Sequence, residues 1–293
     1  MTALILSAMV LLGSGAFAIV QGATGHFLPH DARFLGMTAA ELCTLQACRI
    51  LHFMIHDRVS FGGVLIAIGV MYLFLASVLR RRRESWAWWA LAASGGIGFA
   101  SFLAYLGYGY LDTWHGVATL LLLPLFLGGL IGTRELRCDV VAPIPIEIRS
   151  ARGRGHALLL LASVGISLAG MTITTIGMTS VFVPQDLEFI GMSRAAIGDI
   201  SPRLIPLIAH DRAGFGGALV SFGVAMFACV RYARPSAALW RVLAIAGIAG
   251  FATAVGVHPA IGYLSLMHLG PAVFAALLFA AGLVLSAPLR ERH

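Results

Sequence analysis

His56-Asp57-Arg58-Val59-Ser60-Phe61-Gly62-Gly63 returns 154 residues later as His210-Asp211-Arg212-Ala213-Gly214-Phe215-Gly216-Gly217. Agreement spreads outward from this octet in both directions. Phe34-Leu35-Gly36-Met37 returns as Phe189-Ile190-Gly191-Met192. Gly109-Tyr110-Leu111, with His115 four residues on, returns as Gly262-Tyr263-Leu264 with His268. Similarity in the same order at a nearly constant offset, 153 to 155 residues, is the mark of a duplication. The two copies differ almost everywhere else, so a histidine pair kept in each suggests paired sites rather than one site and a scaffold.

The medium follows from composition. The chain of 293 residues is 59% hydrophobic and 11% charged, with a mean hydropathy of +0.90, which excludes an ordinary soluble domain. A bilayer core of ~30 Å takes about 20 helical residues to cross. Apolar runs of that order fall at 3–22, 57–78, 87–107, 113–132, 157–178, 211–230, 240–260 and 265–286. The expected fold is therefore all-α: a polytopic membrane protein of eight transmembrane helices, built as two parallel four-helix repeats. An even number of spans per copy sets both copies the same way up, with a pseudo-twofold axis along the membrane normal. The expected units are 1–138 and 156–293, each with an outer cap, joined by a cytoplasmic linker at 139–155. The first span ends near Ala16-Phe17-Ala18, which resembles a signal-peptidase site. It has no basic segment before it and aligns with 157–178, so it reads as a retained helix.

All 20 basic side chains are arginine. With the N-terminus inside, 14 of them fall in cytoplasmic segments, which then total +9 against −2 outside. The positive-inside rule thus predicts that both termini are cytoplasmic, in a membrane of the bacterial cell type. The arginines are scattered between spans and form no single basic face, so no nucleic-acid partner is expected. The lipid bilayer is the expected partner. Trp86, Trp88, Trp89 and Trp240 stand where spans enter from the inside and read as interfacial anchors.

On this topology eight of the ten histidines lie on the outer side. Segments 23–52 and 179–206, with Pro29 and Asp31 matched by Pro184 and Asp186, are too mixed to span and read as partly helical caps over the bundle. Cys43 and Cys48 lie in the first cap, where a disulfide would persist. A plain staple, two free thiols and a redox pair all remain open for them. Cys138 and Cys229 lie in or near the cytoplasm, where thiols stay reduced.

An ionisable side chain at the lip of a membrane bundle is a functional candidate. His56, His115, His210 and His268 open the second, fourth, sixth and eighth helices, so within each unit one histidine can face another across the bundle core. Gly63 and Gly217 lie two turns below His56 and His210 on the same face. Those glycines either leave room for a flat macrocycle or serve close helix packing. Arg49 and Arg203 lie two turns above and could grip a propionate bidentately. Asp57 and Asp211 read equally well as helix N-caps, and Arg58 and Arg212 as partners of an acid across the repeat interface.

Two four-helix units in parallel, histidines opening alternate helices near the outer surface, and a cysteine pair only in the first outer segment resemble the heme A synthase family. The resemblance implies a heme-binding oxidoreductase with a small-molecule or heme substrate and a membrane electron donor. It implies that His210 and His268 ligate a fixed b-type heme while His56 and His115 face a second heme or a substrate, with Cys43 and Cys48 supporting that half. The family's glutamate before the first histidine and arginine directly after it are Phe53 and Asp57 here.

The competing reading is a non-heme metal enzyme. His52 and His56 form an i, i+4 pair, and Asp57, Asp112 and His115 could complete a shell for zinc, iron or copper. This predicts one asymmetric site, because Pro206 stands where the second copy would need the counterpart of His52. His52, His56, Asp57 and His115 are then the candidate catalytic residues. A transporter is the third reading, disfavoured because ionisable groups cluster at one lip instead of lining a path. Thiol and quinone exchange through Cys43 and Cys48 ranks last, for want of a CxxC motif.

Overall fold

The structure is a computed structural model that describes residues 1–101, 110, 113–137 and 142–287, without the side chains of Trp114 and His115. Among them all regular structure is helical. Long helices are α1 (Thr2–Ala23), α4 (Arg49–Arg82), α5 (Ser85–Ser101), α6 (Thr113–Ile131), α7 (Ala151–Met178), α10 (Leu204–Tyr232), α11 (Ala237–Ile261) and α12 (Leu266–Leu285). Each predicted segment overlaps one of them over its described residues. Six are long and apolar enough to cross a membrane: α1, α4, α7, α10, α11 and α12. The protein is therefore a membrane-type helical bundle.

Four short helices cover one end, hereafter the cap end: α2 (Pro29–Leu35), α3 (Ala39–Cys43), α8 (Pro184–Ile190) and α9 (Arg194–Ile200). Local chemistry sets their limits. Proline opens α2 and α8, where its missing N–H is no loss. Gly36 and Gly191 close them at φ 73° and 76°, a left-handed turn that other residues adopt only at a cost. That geometry accounts for the repeated glycine of the Phe-Leu-Gly-Met motif.

Glycines also decide how the long helices cross. A Cβ on Gly62 of α4 would come within 2.7 Å of the Gly15 carbonyl of α1, and one on Gly170 of α7 within 2.6 Å of the Gly216 carbonyl of α10. Backbones can approach this closely only where side chains are absent. Contacts then run between the halves, α4 against α11 and α10 against α5. Gly63 meets the Ala249 carbonyl of α11, where a Cβ would lie at 2.6 Å, and Gly217 meets Ser101 of α5. Of the two uses open to Gly63 and Gly217, close packing against α11 and α5 is the one they serve.

The buried core runs along α4 and α10, the two most enclosed helices. Trp86 and Trp88 are part of it, 5% and 9% exposed, and only Trp89 of that trio stands out from the bundle. Two of the expected interfacial anchors are thus core residues. The indole of Trp88 donates to the Leu130 carbonyl of α6 at 3.1 Å, which satisfies the one polar atom that burial would strand. Cys43 and Cys48 are at disulfide distance. Cys229 is free and buried in α10. Cys138 and Asp112, and the proposed boundary at 138–139, lie outside the described residues.

Candidate metal centre

At the cap end α4 is 34 residues long, about 51 Å at the α-helical rise, so its first turns have length to spare beyond a ~30 Å core. His56 lies in this stretch and is 4% exposed. The side chain of its expected first-half partner, His115, lies outside the described residues. Because α4 leans on α11, the His56 imidazole meets two histidines of the second half, His258 near the end of α11 and His268 in the first turn of α12. Ring centroids lie 4.5 Å apart for His56 and His258, 5.3 Å for His56 and His268, and 5.3 Å for His258 and His268. One nitrogen from each can be chosen so that all three lie within 4.8 Å of one another.

Carboxylates orient two of the three rings. Nδ1 of His56 is 3.0 Å from Oδ1 of Asp57, and Nδ1 of His268 is 3.4 Å from Oδ1 of Asp186. For His56, whose contact is a hydrogen bond, the carboxylate only accepts, so Nδ1 carries the proton and Nε2 keeps its lone pair for a ligand. That carboxylate–imidazole pairing is the usual support of a metal-bound histidine. Beyond a weak approach to the Ala254 carbonyl one turn back, neither ring nitrogen of buried His258 is hydrogen-bonded. Such a group is costly unless something else meets it. Tyr263 closes one side, its ring stacked on His268 at 4.4 Å and its hydroxyl donating to Asp186 at 2.7 Å. Burial and the adjacent Asp186 carboxylate raise the phenol above its ordinary range, so it stays a donor.

A lattice of ion pairs surrounds the group. Arg58 binds Asp31 of α2 at 2.9 Å and Asp211 of α10 at 2.8 Å. Arg212 binds Asp186 of α8 at 2.5 Å and lies 3.5 Å from Asp57 of α4. Each guanidinium thus ties its own half's cap helix to the other half's second helix. Tyr110 donates to Asp31 at 2.5 Å as Tyr263 does to Asp186. Beside the three histidines two carboxylates, Asp57 and Asp186, stand against the one guanidinium of Arg212, a local surplus of negative charge that a bound cation would offset.

Comparison with protein-family models, curated proteins and solved structures finds no match. The site therefore stands on its geometry.

Of the expected site residues, His56 and His268 are brought together, and His210 lies elsewhere, against Tyr110 at 5.0 Å. The side chain of His115 and all of Asp112 lie outside the described residues. Asp57, expected as a ligand, holds His56 instead. His52, half-buried one turn before His56, is no member of the group. Arg49 and Arg203, expected to grip propionates, reach across to the other half's cap: Arg203 donates to the Phe34 carbonyl at 2.8 Å and Arg49 to the Phe189 carbonyl at 3.4 Å. A basic group at a helix C-terminus is favourable there. Sequence reasoning missed His258. In the duplicated register its counterpart is Tyr105, so repetition hid it.

A heme does not fit between His56 and His268. His258 lies within 5.3 Å of both and Tyr263 stacks on His268 at 4.4 Å, so other rings occupy the space a porphyrin needs. No porphyrin plane passes between them. The three rings form a group that could hold a single ion. At ~2.0–2.1 Å from each nitrogen a tetrahedral ion sets them about 3.3 Å apart, so the rings need to close by at most about 1.5 Å.

Proposed function

We propose that this protein is an integral membrane metalloprotein that binds one transition-metal ion through His56, His258 and His268. The observation that carries the reading is the convergence of three imidazoles from three helices, two of them braced by buried carboxylates. In the same reading all eight long helices span the bilayer as two parallel repeats. Both termini are cytoplasmic and the cap end is extracytoplasmic, in line with the arginine distribution. The site is single because Tyr105 replaces His258 in the other half.

A tris-imidazole set suits copper, iron or zinc and leaves a coordination position open. Copper or iron there would make the protein an oxidoreductase exchanging electrons with a membrane donor. Zinc would make it a hydrolytic or structural centre. When bound, the ion supplies Lewis acidity or a redox couple. The chain's own residues hold the three imidazoles in place, keep the Nδ1–H of His56 donating to Asp57, and balance charge.

Elemental analysis of the purified protein tests the reading, together with titration of the stripped protein with Cu²⁺, Fe²⁺ and Zn²⁺. One ion per chain is expected, lost in His56→Ala, His258→Ala and His268→Ala and retained in His52→Ala. Equal metal binding by the three ligand variants and the parent would overturn it, as would a Soret band with stoichiometric heme lost in the same variants.

A further inference from the structure

A second feature of the bundle is independent of the metal group. A cavity of about 580 Å³ lies among α1, α4, α5, α6 and α10, within the range of small-molecule sites. One end is polar and lies at the cap end, lined by Asp31, Arg58, His210 and Asp211. The other reaches Tyr72, Ser221 and Phe126, deep in the bundle. On α4 the distance from Arg58 to Tyr72 is 14 residues, about 21 Å at the helical rise. Spread over that length, the volume makes the cavity an elongated slot rather than a round pocket. Between the two ends the walls are mostly apolar side chains and glycines, with the hydroxyls of Ser14, Ser101 and Thr119 among them. At the inner end Tyr72, Ser94 and Ser221 bond one another at 2.8 and 2.9 Å, so their hydroxyls are satisfied without a guest.

The cavity has a way in from the side. α1 and α6 touch near the far end from the caps, where a Cβ on Gly129 would meet Leu4. Toward the caps, exposed Ser14 and Phe17 of α1 and exposed Ala118 of α6 line the cavity's rim. In a bilayer that rim faces lipid tails, so a guest can enter tail and all without crossing water.

Charge at the polar end selects the head group. Arg58 is engaged by both Asp31 and Asp211, and two carboxylates stand against one guanidinium. A phosphate or carboxylate head would meet a surplus of negative charge at short range. A hydroxyl head donates to those carboxylates and adds no charge. We infer that this cavity binds a single-chain lipid with a neutral hydroxyl head, of the chemistry of an isoprenoid quinol or a long-chain alcohol, with its head at Asp31 and Asp211 and its tail running toward Tyr72.

Calorimetric titration of the full chain in lipid nanodiscs tests this, with decyl hydroquinone, 1-decanol and decanoate as probes. The rim variants Ser14→Trp and Ala118→Trp plug the entrance from exposed positions, and their thermal midpoints report whether they fold. The expected result is saturable binding of one hydroxyl-headed probe per chain, with decanoate at least about tenfold weaker, a difference of ~1.4 kcal/mol. Folded plug variants should lose a similar factor. Decanoate binding as tightly as decanol would overturn the inference. So would unchanged binding in both folded plug variants, or no saturable binding of either hydroxyl-headed probe.

Discussion

The Arg58 Nε atom donates to Oδ2 of Asp211 at 2.8 Å across 153 residues of chain. Its mirror pair, Arg212 and Asp57, stands at 3.5 Å, too long for a hydrogen bond. Both arginines hold their own cap helix as well, through Asp31 and Asp186. The same lock is therefore closed tightly on one side of the bundle and loosely on the other. The loose side is the one with three histidines. Arg212 must share its charge with a site where Asp57 and Asp186 also brace imidazoles.

Removing Arg212 strands two buried carboxylates. Arg212→Ala should destabilise by about 3–5 kcal/mol, the range for one partner of a buried pair, and Arg212→Lys should recover only part of it, because an ammonium lacks the fork. Thermal unfolding in a fixed detergent measures both. A loss under 1 kcal/mol would show that the lattice is not load-sharing in the way its geometry implies.

The bracing carboxylate acts through its imidazole. Asp57→Asn leaves all three ligands in place, yet metal affinity should fall about 10–100-fold. Competition with a chromophoric chelator reads the change, and an unaltered affinity would remove Asp57 from the site's account.

Gly63 lies where α4 crosses α11, and these two helices also carry His56 and His258. Gly63→Val drives a side chain into the Ala249 carbonyl and Thr253. The expected cost is about 1–3 kcal/mol or more, together with weakened metal binding. Thr253→Gly removes only the side-chain obstacle and should recover part of the loss. Melting midpoint and metal affinity should move together in this series.

The Cys43–Cys48 loop carries Gln46, Ala47 and Cys48 at φ 48°, 49° and 65°, a left-handed run without a glycine. Ala47→Gly should stabilise by up to about 1 kcal/mol, since only glycine adopts that region freely. Replacing both cysteines by serine should lower stability by about 2 kcal/mol on the loop-entropy account and leave metal affinity unchanged. Chemical unfolding with and without reductant checks both. A change in metal affinity on reduction would tie this loop to the site.

Much of the architecture is written in local chemistry. Apolar runs of helical length, prolines at helix starts and glycines in left-handed turns act within a few residues of themselves, so α1, α2, α4, α8 and α10 are all readable from the chain. The crossed ion pairs were legible in part, since Arg58 and Arg212 repeat beside Asp57 and Asp211 and suggest a bond across the interface. Arg49 and Arg203 were not, because the carbonyls they reach belong to cap helices well over a hundred residues away.

The sequence by itself determined that this is a helical membrane-type chain with histidines repeated at equivalent positions, because hydropathy and register are properties of short stretches. Equivalence says which positions match; it does not say which ones touch. Only the tertiary structure decided that His56 meets His258 and His268 of the other half. The reason is steric: Gly63 lets α4 close on α11, and that crossing carries His56 into the other half's end of the bundle.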